Sequence, residues 1–215
     1  DMGSSNGTLI NGVRQEKAFL RDGDKVQLGD VLFKFVVQDA YDAQYHQHIH
    51  RLIHFDQLTG LMTMESFRRY LDDWISRAEP GARMALSMTD LDGLKRVNDT
   101  YGHLAGRMVV REMGVMLRES IREQDRAGLY GGDEAIIIYP ATALADAVLV
   151  AEKIRTTIAE RMFTFRDQAF QVSISQGLAE WPIHGHTAEE IIAAADAALY
   201  AAKQDGRNCT RTAGA

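Results

Sequence analysis

Leu129-Tyr130-Gly131-Gly132-Asp133-Glu134-Ala135-Ile136-Ile137-Ile138 is the stretch on which the fold of this chain turns. Its two ends are strand-like, and the Gly-Gly pair between them predicts a two-residue hairpin turn with positive φ angles. Asp133 and Glu134 follow directly, where missing Cβ atoms let another molecule approach the backbone. Carboxylates beside a bare turn suit a metal or phosphate site. An exposed hairpin with solvated acids has the same sequence, and the hairpin taken alone favours that second reading.

Outward from the hairpin, strand and helix signals alternate. Arg83 to Asp90 reads as a buried strand and Leu104 to Ile121 as a helix with Met108, Val109, Met113, Leu117 and Ile121 inward. A helix from about Leu144 to Glu160, a strand from Gln171 to Glu180 and a helix from Thr187 to about Lys203 complete the pattern. Thr187 and Glu190 make a capping box at the start of the last helix. The order predicts an α/β fold, a mixed sheet with flanking helices.

The chain of 215 residues is 46% hydrophobic, ample for a core, and its formal net charge of -6 argues against nucleic acid or an anionic membrane as the main partner. One cysteine, Cys209, excludes an internal disulfide and suits a reducing, cytoplasmic compartment. No run of about 18 apolar residues exists. The start Asp-Met-Gly-Ser-Ser-Asn has neither an initiator methionine nor a signal-peptide pattern, as expected of an excised piece of a longer protein.

Residues 1–37 read as all-β. Asn6-Gly7, Asn11-Gly12, Asp22-Gly23 and Gly29-Asp30 punctuate short apolar runs at Thr8 to Ile10, Lys25 to Leu28 and Val31 to Val37. So few short strands cannot enclose a substantial core. Between 38 and 55, Tyr41, Tyr45, Ile49, Leu52 and Ile53 recur at helical spacing, which predicts a linker helix able to pair with its twin. His46, His50 and His54 share one face of it, and a solvated polar face is the preferred reading over a transition-metal site.

Asp90-Leu91-Asp92 closes the strand before the hairpin. If that strand pairs beside the hairpin, Asp90 and Asp133 converge on one point, where a cation would relieve their repulsion; Mg²⁺ prefers such oxygen ligands together with substrate phosphates. Lys95 and Asn98 follow closely, and Lys203 and Arg207 occur far downstream, where they could neutralise a triphosphate.

Asp56-Gln57-Leu58-Thr59-Gly60-Leu61, the string Asp90 to His103, Gly131-Gly132-Asp133-Glu134 and the string Ala198 to Asn208 together resemble a GGDEF domain of the diguanylate cyclase family, over residues 56–209. The resemblance implies a nucleotidyl-cyclase, polymerase-palm-like domain that, as a homodimer, condenses two GTP molecules into cyclic di-GMP with release of pyrophosphate. Asp90, the carbonyl of Leu91 and Asp133 would hold Mg²⁺ or Mn²⁺, and Glu134 would assist with the metal or the 3′-hydroxyl. The backbone of Gly93 and Leu94, with Lys95, Lys203 and Arg207, would bind phosphates. Asn98 would contact guanine, and Gly131 and Gly132 would let the nucleotide lie against the backbone. Arg122 and Asp125 match the family's inhibitory product site, to which Lys153 is a plausible third member.

The order Gly3 to Thr8, Asn11-Gly12, Leu20 to Asp24, Leu28-Gly29 and Phe33 to Phe35 resembles the C-terminal part of a forkhead-associated (FHA) domain, a sandwich that binds phosphothreonine peptides. That resemblance puts Ser5 and Asn6 on the peptide loop, without the upstream strands that carry the family's phosphate-gripping arginine.

The chain departs from the cyclase pattern at four places. Arg107 replaces an aspartate that reads guanine by accepting its N–H groups, whereas an arginine has donors only. Ala135 replaces phenylalanine, Leu129 replaces arginine, and Thr63-Met64 replaces Asn-Arg, which takes an ion-pair partner from Asp56. These departures keep two alternatives open: a catalytically weak domain that senses cyclic di-GMP, and an enzyme of relaxed purine choice.

Overall fold

The computed structural model describes residues 1–37 and 40–214, without the side chains at positions 40, 41, 43, 44, 46 and 47. It divides into two compact units, Asp1–Arg51 and Leu52–Ala215.

The first unit is built on one antiparallel sheet. Its strands are β1 (Thr8–Ile10), β2 (Val13–Gln15), β3 (Lys25–Leu28) and β4 (Val31–Lys34), in the order β2-β1-β3-β4. Turn chemistry sets the register: Asn11 adopts φ 50°, and its amide donates to Asp24 at 2.8 Å while accepting the Lys25 N–H at 2.9 Å. β4 ends at Lys34, short of the expected Val37, and Val31, Leu32 and Phe33 are each more than half exposed. The sheet therefore buries little of its own apolar surface, as its short strands lead one to expect. Helix α1 (Ala40–His54) follows. The expected apolar stripe begins at Tyr41, whose side chain lies outside the described residues.

In the second unit a sheet ordered β11-β10-β5-β7-β6 is covered on both faces. In chain order its elements are α2 (Met64–Ser76), β5 (Met84–Asp92), α3 (Leu94–Tyr101), α4 (His103–Ser120), β6 (Arg126–Leu129), β7 (Glu134–Pro140), α5 (Leu144–Glu160), a small hairpin of β8 (Phe163–Phe165) and β9 (Gln168–Phe170), β10 (Ser173–Trp181), α6 (Ala188–Gln204) and β11 (Thr210–Thr212). Neighbours are antiparallel except β10 and β11. This is the mixed α/β arrangement the alternation predicts.

Strand periodicity sorts the core into two layers. Met84, Leu86 and Met88 of β5, with Ile136 and Ile138 of β7, pack against α2 and α6. Ala85, Leu91, Ile137 and Tyr139 face α4 and α5. Each fully buried Leu, Ile or Met contributes about 1.5–3 kcal/mol, so this sheet holds both of its faces. Gly177 shows how tight the packing is: a Cβ there would lie 2.0 Å from the Leu199 backbone nitrogen of α6.

The structure corrects the turn between β6 and β7. Neither Gly131 nor Gly132 lies in the left-handed φ region, and four residues, Tyr130 to Asp133, separate the strands. The N–H groups of Tyr130 and Gly131 both donate to the Glu134 carbonyl, at 2.8 and 3.2 Å, which closes the loop without an inverted backbone. Elsewhere β5 runs to Asp92, two residues beyond the expected end, and α2, α3, β8, β9 and β11 had no strong sequence signal. No helix among the described residues is long and apolar enough to cross a membrane.

Candidate functional site

Register brings the acidic residues together. Asp90 of β5 pairs with Glu134 of β7, and the Leu91 N–H donates to the Asp133 carbonyl at 3.2 Å. From the last turn of α6, Lys203 Nζ approaches Asp90 Oδ2 to 2.9 Å and Glu134 Oε1 to 3.8 Å. Burial pushes the Asp90 carboxyl up to about 6; Lys203 opposes that shift, while Asp133 and Glu134 add to it. A single lysine thus faces more negative charge than it neutralises.

The group opens onto a cleft of about 700 Å³, within the range typical of ligand sites. Asp90, Leu91 and Asp133 form one wall, and Lys95, Lys203 and Arg207 bring positive charge. Gly93, at φ 74°, lets the chain leave β5 and enter α3 directly, so α3 presents its first N–H groups at the cleft. Gly93 and Leu94 both line it, where the resemblance expects phosphate contacts.

Other expected residues are not among those that line this cleft. Glu134 is held through Lys203. Asn98 is half-buried on α3, and its Oδ1 sits so close to Gly106 of α4 that a Cβ there would be 2.0 Å away. Arg107, next in sequence, is exposed. Gly132 has open space around the position of a missing Cβ, and at Gly131 such an atom would lie 3.0 Å from Glu134 Oε2. The glycines keep the loop bare even though they do not supply a left-handed turn.

Sequence reasoning missed Asp92. It is 8% exposed and accepts three hydrogen bonds, from Ser173 Oγ and Ser175 Oγ at 2.7 Å each and from the Asn208 N–H at 3.0 Å. Its spacing from Asp90 was the available signal, since alternation puts the two on the same strand face. The partners lie far away in sequence and carry no local mark.

The departures from the family pattern are accommodated locally. Ala135 is fully buried opposite Leu129, which packs against the core. Asp56 accepts from the N–H groups of Leu58 and Thr59 and from Thr59 Oγ1, at 3.1, 2.8 and 2.7 Å. Thr63 caps α2.

Immediately before β6, Arg122 and Asp125 form a turn. The Arg122 N–H donates to Asp125 Oδ2 at 2.8 Å, and the Asp125 N–H donates to the Arg122 carbonyl at 3.1 Å. Asp125 is 5% exposed, its Oδ1 is buried without a partner, and burial raises its carboxyl above the usual range. The Arg122 side chain and, on α5, that of Lys153 are exposed. Ser5 and Asn6 are exposed in the turn before β1. The His46 side chain lies outside the described residues, and among those described no group of three or more His, Cys, Asp or Glu is arranged to hold a metal.

The sequence model described as "Diguanylate cyclase, GGDEF domain" matches residues 53–209, and that of the FHA domain matches residues 1–29. Response regulator PleD of Caulobacter vibrioides is 38% identical over 156 residues, 71% of this chain and 34% of PleD. Diguanylate cyclase A of Treponema denticola is 36% identical over 133 residues, 62% of this chain and 36% of that protein. The chain therefore spans about a third of the length of these relatives. The solved structure of the coiled coil and GGDEF domain of DgcB from Caulobacter crescentus, in complex with c-di-GMP, is similar at a TM-score of 0.73 and 30% identity, covering 80% of this chain and 91% of that one.

Proposed function

This chain belongs to the GGDEF diguanylate cyclase family, and from that premise we propose that its cleft condenses two GTP molecules into cyclic di-GMP, one nucleotide held by each subunit of a homodimer. The observation that carries the reading is the convergence of Asp90, Asp133 and Glu134 beside Lys203, at the mouth of a cleft floored by the α3 N-terminus.

Each 3′-oxygen bonds to the α-phosphorus of the facing nucleotide as the bond to pyrophosphate breaks, so two pyrophosphates leave and two hydroxyl protons are lost. Charge neutralisation and alignment supply most of such catalysis. The N–H groups at Gly93 and Leu94, with Lys95, Lys203 and Arg207, hold the triphosphate. Glu134 orients the 3′-hydroxyl. Asn98 reads the guanine edge.

The donor set suits a divalent cation, because Asp90, Asp133 and the Leu91 carbonyl offer hard oxygens side by side, and among the described residues Lys203 is the one cation paired with the carboxylates there. Mg²⁺ or Mn²⁺ held there supplies Lewis-acid polarisation of the phosphoryl group and the attacking hydroxyl. Lys203 pairs with Asp90 in this structure, and a triphosphate bound in the cleft would offer it a phosphate oxygen as an alternative partner, leaving the Asp90 carboxylate available as a ligand.

The buried, unpartnered Asp125 Oδ1 supports a product site at Arg122 and Asp125, with cyclic di-GMP offering the missing N–H donor and Lys153 adding charge. Phosphothreonine-peptide regulation through Ser5 and Asn6 rests on the FHA match alone.

Arg107 favours a second reading for purine choice, since a donor stands where the family accepts guanine N–H groups. Incubating the protein with Mg²⁺ and GTP, or with GTP and ATP together, and resolving the products tests both readings. Cyclic di-GMP from GTP alone is expected; a folded dimer that makes no cyclic product contradicts catalysis and leaves the receptor role. A mixed cyclic dinucleotide that disappears in Arg107→Asp assigns purine choice to that side chain.

A further inference from the structure

The loop after α6 has a backbone that side chains disfavour. Gly206 has φ 103°, and the next two residues, which are not glycine, are also left-handed, Arg207 at φ 65° and Asn208 at φ 46°. Consecutive non-glycine residues in this region persist only where surrounding bonds over-determine them.

Three bonds do so here. The Arg207 N–H donates to the Ala202 carbonyl at 3.1 Å. The Asn208 N–H donates to Asp92 Oδ2 at 3.0 Å, and Arg155 Nη1 donates to Asn208 Oδ1 at 2.8 Å. The last two come from separate directions, since Asp92 ends β5 and Arg155 lies on α5. Each partner is itself fixed. Asp92 also accepts from Ser173 and Ser175, and the remaining Arg155 donors grip Glu152 at 2.9 to 3.1 Å. Asn208 is clamped on both its backbone and its side chain. Arg207 and Asn208 line the cleft and Arg155 does not; it meets the lining through its bond to Asn208.

We propose that Arg155 is a positioning residue for the cyclase reaction: through Asn208, and together with Asp92, it locks the left-handed loop that turns Arg207 toward the triphosphate. This rests on the reading of Arg207 as a phosphate ligand. It also joins α5 to the active-site loop by a bond rather than by packing alone.

Steady-state kinetics with GTP and Mg²⁺ on the full chain test it through three variants. Arg155→Ala removes the side-chain clamp and is expected to raise the KM for GTP about tenfold, the size of one lost charge-assisted hydrogen bond, with kcat within about threefold. Arg155→Ala combined with Asn208→Gly is expected to recover most of that loss, because glycine adopts the left-handed conformation without help. Both proteins lack the Arg155 side chain, so a general loss of fold affects both and cannot imitate the recovery. Arg207→Ala is expected to raise the KM at least as much as Arg155→Ala. If Arg207→Ala changes nothing, the phosphate reading itself fails. If Arg207→Ala raises the KM and Arg155→Ala does not, or if the glycine fails to restore it, the positioning role is overturned while the phosphate reading stands.

Discussion

Gly106 is the glycine at which stability and specificity come apart. A Cβ there would meet Asn98 Oδ1 at 2.0 Å, and that obstacle is the end of a side chain able to swing away. Gly106→Ala is therefore expected to leave the thermal midpoint nearly unchanged and to weaken GTP binding about tenfold by displacing Asn98, measured by calorimetric titration of the nucleotide. An unchanged affinity would show that Asn98 does not read the base. At this scale the sequence was informative wherever function sits in short strings: Asp90, Gly93, Lys95, Asp133, Lys203 and Arg207 were all named from local motifs, and register and loop closure bring them to one cleft. Asp92 escaped because its meaning lies in Ser173, Ser175 and Asn208, residues between 81 and 116 positions away. Arg155 escaped for the same reason, its partner Asn208 being 53 positions away.

Among elements, β10 closely crosses α6, the helix that carries Lys203, at Gly177. Gly177→Ala would drive a methyl group into the α6 backbone, with contacts of 2.0 and 2.2 Å to Leu199 and Ala195, and backbone cannot rotate away. The expected cost is about 3 kcal/mol or more, read as a shift in the urea midpoint; a loss under about 1 kcal/mol would contradict the packing. The N-terminus of α6 yields a pH prediction. Glu190 is held below its usual carboxylate range by the N–H groups of His186 and Thr187, so its capping bond stabilises above the ordinary glutamate pKa and fades as pH falls through the lowered one. Glu190→Ala should lower the thermal midpoint at pH 7, and the gap to the parent should close in acid; a gap independent of pH would remove the capping carboxylate as its cause. Long periodic helices such as α4 and α5 were legible, because burial of one face writes a period into the sequence. Helix α3 was not: it has eight residues and one buried side chain, Val97. The β8–β9 hairpin also hid, since its turn puts Arg166 and Asp167 at φ 47° and 63° where a sequence reader looks for Asn-Gly.

Across the whole molecule, the cleft depends on both core layers, because one fixes β5 and β7 through α4 and α5 while the other fixes the exit of Lys203 through α6. Among the described residues, Lys203 stands alone against Asp90 and Glu134 where β5, β7 and α6 meet, and Asp90 and Asp133 are the residues proposed to hold a divalent cation for phosphoryl transfer. The most direct test is the initial rate of cyclic di-GMP formation from GTP across a Mg²⁺ titration, with the parent chain beside Asp90→Asn and both confirmed folded and dimeric. A saturable dependence on Mg²⁺ in the parent and a loss of about a hundredfold or more in the variant are expected. A parent rate that ignores Mg²⁺, or an Asp90→Asn protein as fast as its parent, would contradict a cation held by Asp90 and Asp133.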